Sequence, residues 1–357
     1  MPAAPQPAAA PAPVVSPVVT EPAPVVSPVP LSIAAEPRAP HIALLLPLKS
    51  PMFAKAADAV QQGFLAGAGK QAAGLPVRVY PCSDETTEVV RLYQLALQAG
   101  AVAVAGPLTR NGVAALATNP NLTTPTLALN LLEGARTDHL FFFGLPAEAE
   151  ARQTSQRATD AGILSTTIVS TNTPLSKRLA QAFKDDWLRS GGILQGEITY
   201  TGDPAPLRAL TPEPGNSVFL AAEADKARLL RPYIDSMLPV YATSQVFSGN
   251  THTLTNYDLA DIRFVDMPWM LQPDHPAVMI YPRSATALTP EMDRLYALGI
   301  DAYRLLHIML QHSEAQSLPL DGVTGKITLS GHTFQREAIL AIMKQGQGVP
   351  TDSKSRP

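Results

Sequence analysis

The sequence of 357 residues has one cysteine, Cys82, and no apolar run as long as eighteen residues. A single cysteine excludes an internal disulfide and any metal site built from several cysteines. Because the apolar runs are short, we expect no transmembrane segment. The formal net charge is only −3, so the chain lacks the basic field that nucleic acids attract, and we expect no nucleic-acid partner. Cys82 ends the run "PVRVYPC", which favours a small core residue over a reactive thiol.

Short motifs that carry common chemistry are also missing. The glycine-rich stretch "GFLAGAGKQ" places five residues between Gly63 and Gly69, whereas a phosphate-binding Walker loop requires four, and Gln71 stands where that loop needs serine or threonine. The seven histidines are scattered, and the closest pair, His307 and His312, is five residues apart and so not on one helix face. Neither G-x-S-x-G nor H-E-x-x-H occurs. We therefore predict a protein that is not an enzyme and that has no cofactor and no metal site.

Proline is concentrated at the start of the chain, where residues 1–40 contain 12 prolines and few charges. Proline at this density blocks helices and sheet ladders. The composition predicts a disordered Pro/Ala-rich tether, which at about 3.1 Å per residue would reach on the order of 120 Å. The segment lacks the basic start and compact apolar core of a secretory signal.

From His41 onward, apolar runs typical of buried strands alternate with segments of helical periodicity. "HIALLLPL" (41–48) and "AVAVAGPL" (101–108) are such runs, and the pattern restarts near residue 146 with "LSTTIVS" (164–170). The alternation predicts an α/β protein of two lobes, each an open, mostly parallel sheet flanked by helices.

The chain is expected to cross between the lobes near residues 146, 273 and 318. Lobe 1 would then comprise residues 41–146 plus 274–318, and lobe 2 residues 147–273 plus 319–350. The last segment, 323–350, is expected to close as a hairpin of lobe 2. Hinge closure around a ligand is the usual motion of two lobes with a cleft between them.

Candidate binding residues follow the carboxyl ends of predicted strands, where ligands of α/β proteins usually bind. In "VAGPLTRNG" (104–112), Gly106 ends a strand and Thr109 could cap a helix whose first N–H groups would suit a carboxylate. A purely structural N-cap is the simpler interpretation of Thr109. Asn130 occupies the next strand end, in "LALN".

Five further residues are expected to border the cleft. "LLLPLKSP" (44–51) supplies Pro47 and Leu48, which predict a stiff apolar corner in place of the glycines of a nucleotide binder. The second lobe supplies Ser244 in "VYATSQVFSG", and Asp266 and Trp269 in "FVDMPWML". Asp266 could meet a ligand's amine, or it could simply form a turn.

The order of these segments resembles the carboxy-terminal domain of the LpoA/LppC family of penicillin-binding protein activators. The matching stretches cover roughly residues 41 to 335 and are "IALLLPL", "QAGAVAVAGPLTRNGVAALA", "PTLALN", "FFFGLPAEAEA", "RLAQAFKDDWLRSGG", "ARLLRPYIDSMLPVYATS", "DLADIRFVDMPWML", "RLYALGIDAYRLL" and "LDGVTGKITLS".

The resemblance implies a type I periplasmic-binding fold and a non-enzymatic regulator of peptidoglycan synthesis. Its partner would be a bifunctional class A penicillin-binding protein. Members of the family are outer-membrane lipoproteins, so the resemblance implies a periplasmic location and a lipidated N-terminus, which this sequence does not contain. Better-known members carry a helical-repeat domain ahead of this one, where this chain has only the proline-rich tether.

A solute-binding protein that delivers an amino acid or peptide to an ABC transporter is the alternative, because one scaffold serves both functions. It would need a small-molecule ligand in the cleft, with a carboxylate seat at Thr109 and an ammonium partner such as Asp266. A docking protein can leave its cleft apolar or narrow.

Overall fold

The computed structural model describes residues 39–71, 74–132, 134, 138–251, 253–311 and 318–351. Almost all of the tether predicted for residues 1–40 lies outside these ranges. Within them the chain forms two sheets with helices on their faces.

Strands and helices alternate through the first part of the chain. They are β1 (His41–Leu46), α1 (Ala54–Ala68), β2 (Val77–Pro81), α2 (Glu85–Gln98), β3 (Ala101–Ala105), α3 (Arg110–Ala117), β4 (Thr126–Ala128) and β5 (Leu140–Phe142). The five strands pair in parallel in the order β5-β4-β3-β1-β2. β1 is buried on both faces: Ile42 and Leu44 face the cluster around α1, while Ala43 and Leu45 face the cluster around α2. This explains why its sequence is a continuous apolar run.

The alternation restarts after β5 and builds a second sheet. The elements are α4 (Ala147–Asp160), β6 (Ser165–Ser170), α5 (Pro174–Arg189), β7 (Ile193–Thr199), α6 (Ala205–Arg208), β8 (Asn216–Ala221), α7 (Ala224–Leu230), β9 (Val240–Ala242) and β10 (Ile262–Asp266). These strands pair in parallel in the order β10-β9-β8-β6-β7. β7 is an edge strand, and its residues alternate between exposed and half-buried, as one covered face requires.

The last part of the chain serves both sheets. Its elements are α8 (Pro268–Leu271), α9 (Pro276–Met279), α10 (Pro290–Leu310), β11 (Leu320–Asp321), β12 (Lys326–Ser330), β13 (Thr333–Glu337), β14 (Ile339–Lys344) and β15 (Gln347–Pro350). β13 adds in parallel to β5, with β12 and β11 antiparallel beyond it. β14 adds antiparallel to β10, and β15 to β14. Both sheets are therefore mostly parallel with an antiparallel edge, as the predicted α/β fold class requires.

The prediction of a single hairpin over residues 323–350 of lobe 2 is wrong. Two hairpins form, β12–β13 in the first sheet and β14–β15 in the second. Each has its own two-residue turn, and in the second turn Gln345 (φ 50°) and Gly346 (φ 76°) are both left-handed, as a tight hairpin turn demands. Only Ala338 separates β13 from β14, so the chain passes from sheet to sheet there rather than near residue 318. Residues 320–337 belong to the first sheet and not, as the sequence pattern predicts, to the second lobe.

Helix starts follow the capping chemistry of the sequence. The Thr289 side chain accepts a hydrogen bond from the Met292 N–H at the start of α10, and Pro290 occupies the first helical position. Thr109 likewise caps α3 through the Gly112 N–H, 3.1 Å from its hydroxyl. The N-cap predicted at Thr109 is confirmed.

Helices α1 and α10 touch backbone to backbone through two glycines. A Cβ built on Gly63 would lie 1.8 Å from the Tyr296 carbonyl oxygen, and one on Gly299 would lie 2.2 Å from the Val60 carbonyl oxygen. This close approach fixes α10 on the first sheet. Within the described ranges no helix is both long and apolar enough to cross a membrane.

Candidate functional site

A cavity of about 620 Å³ opens at the carboxyl edge of the first sheet, where several strand-to-helix corners meet. We call it the corner cavity. Its lining residues are Pro47, Ser50, Met52, Phe53, Ala56, Ser83, Asp84, Glu85, Thr86, Leu108, Thr109, Arg110, Asn111, Asn130 and Leu295. Three of the predicted site residues, Pro47, Thr109 and Asn130, are therefore brought together here.

Gly106 and Leu48 lie close to the cavity but have structural roles. Gly106 has φ +99°, and a Cβ on it would lie 2.1 Å from the Leu45 carbonyl oxygen, so only glycine fits between β1 and β3. Leu48 packs against the first hydrophobic core and does not line the cavity. The Asn130 side-chain amide donates a hydrogen bond to the Leu108 carbonyl oxygen across 3.0 Å, which ties the loop after β4 to the loop after β3.

Glu85 occupies two backbone N–H groups in the loop just before α3. Its carboxylate accepts hydrogen bonds from the N–H groups of Leu108, at 2.8 Å, and Thr109, at 2.7 Å. The residue is only 3% exposed. Asp84 caps α2 by accepting a hydrogen bond from the Thr86 N–H. This places Glu85, the first residue of α2, next to the loop that follows β3. The protein's own side chain thus occupies the two N–H groups that precede α3. The N–H groups of Arg110 and Asn111, which begin α3 and form the seat predicted at Thr109, are not among those that Glu85 takes.

Burial shifts the pKa values of two groups at this edge of the sheet, Glu85 and Cys82. It raises the pKa of Glu85, although the N–H donors of Leu108 and Thr109 act in the opposite direction. Burial, aided by the neighbouring carboxylates Glu85, Glu88 and Asp84, raises the pKa of Cys82 to about 12. Cys82 is 1% exposed and packs in the core, so its interpretation as a small core residue is confirmed.

Replacement of Glu85 by glutamine should therefore change how stability depends on pH. A carboxyl with a raised pKa in the folded state contributes most stability below its unfolded pKa, and loses that contribution as pH rises through the folded value. We expect wild type to lose stability relative to Glu85→Gln as pH rises above about 4. Urea unfolding at several pH values measures this difference. A constant difference would show that the hydrogen bonds balance burial, and a change of opposite sign would show that they outweigh it.

Asp266 does not reach the corner cavity and is not a partner for a ligand's amine. It is fully buried at the end of β10, where Arg294 of α10 grips it with Nε 3.1 Å from Oδ1 and Nη2 2.6 Å from Oδ2. Arg294 Nη2 also donates to the carbonyl oxygens of Ser244 and Phe247. Burial disfavours the charged guanidinium, but the carboxylate of Asp266 outweighs it, so the pKa of Arg294 is raised.

A second buried ion pair lies next to the first. Arg336 of β13 pairs with Glu150 of α4, and the other oxygen of Glu150 accepts from the Ser244 hydroxyl across 2.6 Å. We call Glu150, Asp266, Arg294 and Arg336 the seam, because each pair joins an element of the first sheet's layer to one of the second. Ser244 is thus part of the seam rather than of an open cleft.

Trp269 also belongs to the contact between the two layers. It is 1% exposed, its indole N–H donates to Asp293 Oδ1 across 2.7 Å, and the Arg283 guanidinium lies 3.7 Å from its ring centre. The Gln153 side chain adds a further link, since it donates to the Ala338 carbonyl oxygen and accepts from the Ala338 N–H. The joint between β13 and β14 is thereby held by α4.

The eight predicted site residues thus lie in different places. Pro47, Thr109 and Asn130 line the corner cavity, with Leu48 and Gly106 beside it. Asp266 belongs to the seam, Ser244 bonds to it, and Trp269 lies at another contact between the layers. Glu85, Glu150, Arg294 and Arg336 were missed. An acidic residue in a helix's first turn is ordinarily read as complementing the helix dipole, and each ion pair joins residues far apart in the sequence. In the part of the chain that the structure describes, no group of three or more His, Cys, Asp or Glu residues could hold a metal ion.

Comparison with known proteins places these features in a family. The sequence model of the LppC lipoprotein family matches residues 31–211 and 212–339. "Penicillin-binding protein activator LpoA" of Yersinia pseudotuberculosis is 26% identical over an alignment that covers 87% of this chain and 60% of that protein. The chain thus spans about 60% of the length of the first curated relatives it matches.

Solved structures share the two-sheet fold. A chain from Chromobacterium violaceum, named for a branched-chain amino acid ABC transporter, is 35% identical, with a TM-score of 0.74 over 85% of this chain and 100% of that one. The C-domain of LpoA (YraM) from Haemophilus influenzae, a regulator of PBP1A, is 23% identical, with a TM-score of 0.72 over 87% of this chain and 100% of that one. The predicted two-lobed, periplasmic-binding-protein-like fold is confirmed.

Proposed function

The chain belongs to the LppC family, and from that membership we propose that it activates a bifunctional class A penicillin-binding protein and so regulates peptidoglycan synthesis. The names of its relatives support this proposal, since curated relatives in several bacteria are named as penicillin-binding protein activators. We place the protein in the periplasm, held to the outer membrane by a lipidated N-terminal anchor. It acts by docking on the synthase, without catalysis of its own.

The observation that carries this proposal is that Glu85 occupies backbone N–H donors at the Thr109 corner. A solute carrier needs free N–H donors for its ligand, and here the donors of Leu108 and Thr109 are taken by Glu85. A carrier also needs lobes that open and close around a hinge. In this chain two ion pairs and the Trp269 contact are buried where the layers meet, and separating them would expose unpaired charges. Both features suit a rigid docking scaffold.

Delivery of a solute to an ABC transporter is the second candidate, and one observation favours it. The C. violaceum chain, 35% identical to this one, is named for branched-chain amino acid transport. An amino acid in the corner cavity would find the N–H donors of Leu108 and Thr109 taken by Glu85, and Asp266 is closed to its ammonium group by Arg294. The geometry therefore favours the activator.

Stimulation of a purified synthase tests the proposal directly. We expect the full chain to raise the rate of glycan polymerisation or cross-linking by a class A synthase from the same organism severalfold, because an activator biases the synthase toward its active state. The assay follows lipid-linked precursor into polymer and cross-linked product, with heat-unfolded chain as the control. An unchanged rate at saturating chain would contradict the proposal.

Thermal unfolding of the same preparation tests the alternative function, delivery of a solute to an ABC transporter. A ligand that binds only the folded state raises the unfolding midpoint by mass action. We expect no rise with branched-chain amino acids, short peptides or muropeptides in excess. A rise with any of them, together with no effect on the synthase, would favour solute delivery.

A further inference from the structure

Beside the corner cavity, two arginines lie near the carboxylate of Glu148. One belongs to the layer of the first sheet and the other to the layer of the second. Arg110 begins α3, and its Nη2 lies 3.6 Å from Glu148 Oε2. Arg178 lies on α5, and its Nε is 3.4 Å from Glu148 Oε1. Both distances exceed those of good charge-assisted hydrogen bonds, so the single carboxylate holds each guanidinium only loosely.

The charges at this place do not balance. Among the described residues Glu148 is the only carboxylate that pairs with either arginine, which leaves one positive charge in excess. The arginine side chains are 56% and 52% exposed, whereas that of Glu148 is 19% exposed. The two remaining acids of the neighbouring cavity are engaged elsewhere, Asp84 as a helix cap and Glu85 on backbone N–H groups. The guanidinium groups therefore face outward with donors available to a second carboxylate.

These arginines lie on a continuous concave surface. A recess of about 240 Å³ is lined by both arginines and Glu148, together with Leu145 and Pro146. It shares Leu108, Arg110, Asn130 and Leu295 with the corner cavity. At the lip of that cavity Met52 is 79% exposed and Phe53 39% exposed. Adjacent apolar and cationic surface of this kind is typical of a binding site for another protein.

We infer that the recess and the corner cavity together bind an acidic, apolar segment of the partner protein. One carboxylate of the segment bridges Arg110 and Arg178 next to Glu148, and a neighbouring apolar side chain covers Met52 and Phe53. A small carboxylic acid fits less well, because Glu85 already takes the N–H groups of Leu108 and Thr109 and the apolar lip would stay exposed. The identity of this partner as a class A synthase rests on the function proposed above.

The test uses the full chain with both arginines replaced by glutamine, Arg110→Gln/Arg178→Gln. The matched control is Lys177→Gln, which removes a positive charge from the exposed residue next to Arg178 but outside both cavities. We expect the double variant to need about tenfold more protein for half-maximal stimulation of the synthase, with the control within about twofold. Added salt should weaken wild type more than the double variant. An unchanged half-maximal concentration in the double variant would overturn the inference.

A second measurement keeps the site separate from the synthase. Fluorescence anisotropy with a labelled peptide of alternating glutamate and phenylalanine should show binding to wild type, weaker binding to the double variant, and weaker binding of a matched glutamine–phenylalanine peptide. Equal binding of both peptides to wild type would overturn the inference even where stimulation is seen. Charge-dependent peptide binding without stimulation of the synthase would leave the site standing and remove the proposed function.

Discussion

Asp266→Ala will lower the free energy of unfolding by about 3–5 kcal/mol, because it leaves the buried charge of Arg294 without its partner. Asp266 is fully buried, and the Arg294 side chain is 7% exposed, so water cannot replace the lost carboxylate. Urea unfolding of the full chain, followed by circular dichroism, measures the loss.

Two controls separate the ion pair from its surroundings. Asp266→Leu with Arg294→Met should recover most of the lost stability, since replacing both partners of a buried pair by apolar side chains is often neutral. Recovery should be incomplete, because the carbonyl oxygens of Ser244 and Phe247 lose the donor that Arg294 gave them. Asp225→Ala breaks the exposed pair with Arg228 and should cost less than about 1 kcal/mol. Equal losses at Asp266 and Asp225 would mean that the seam does not hold the layers together.

Gly299→Ala will destabilise the protein by about 3 kcal/mol, at the upper end of what overpacking costs. The added methyl group would meet the Val60 carbonyl oxygen at 2.2 Å and the Phe64 nitrogen at 2.7 Å, and both are backbone atoms that move only with the whole of α1. The intrinsic preference of helices for alanine offsets only about 1 kcal/mol of this. Differential thermal unfolding of variant and wild type reports the change.

Gly69→Ala, at the end of the partner helix α1, is the matched control. Gly69 ends α1 with φ −63°, and a Cβ there would approach nothing nearer than the Leu65 carbonyl oxygen at 3.4 Å. Its replacement should be neutral or slightly stabilising, because alanine restricts the unfolded chain. Gly63→Ala should behave like Gly299→Ala, and combining the two should cost less than the sum, since both push the same helices apart. A neutral Gly299→Ala would show that α1 and α10 can separate freely.

The alternation of strands and helices could be predicted from the sequence because buried parallel strands require continuous apolar runs and helices show their own period. "HIALLLPL" and "AVAVAGPL" are such runs, and both became central strands. The chain's last two hairpins could be predicted only in part. Their alternating patterns fit the edge of either sheet, and the partner strands, β5 and β10, are distant in sequence.

The candidate site was less accessible to prediction, for a physical reason. Strand ends identified Pro47, Thr109 and Asn130, because parallel strands bring their carboxyl ends together. No local pattern indicates that Glu85 bonds to the backbone of Leu108 and Thr109, or that Arg294 forms an ion pair with Asp266. Whether a polar side chain is free depends on its neighbours in space. The sequence alone therefore suggested that Thr109 and Asp266 would bind a ligand. In the structure Glu85 bonds to the Thr109 backbone, and Arg294 pairs with Asp266.

The single-residue passage from β13 to β14 at Ala338 has a consequence for how the protein matures. Because residues 320–337 complete the first sheet and residues 339–350 the second, the first sheet lacks its edge until residue 337 has been synthesised, and the second until residue 350. Strand β13 must find β5 from nearly two hundred residues away, and such distant pairings form slowly. The nascent chain therefore stays without its final structure during most of its synthesis, which would suit the export in an unfolded state that the proposed periplasmic location requires.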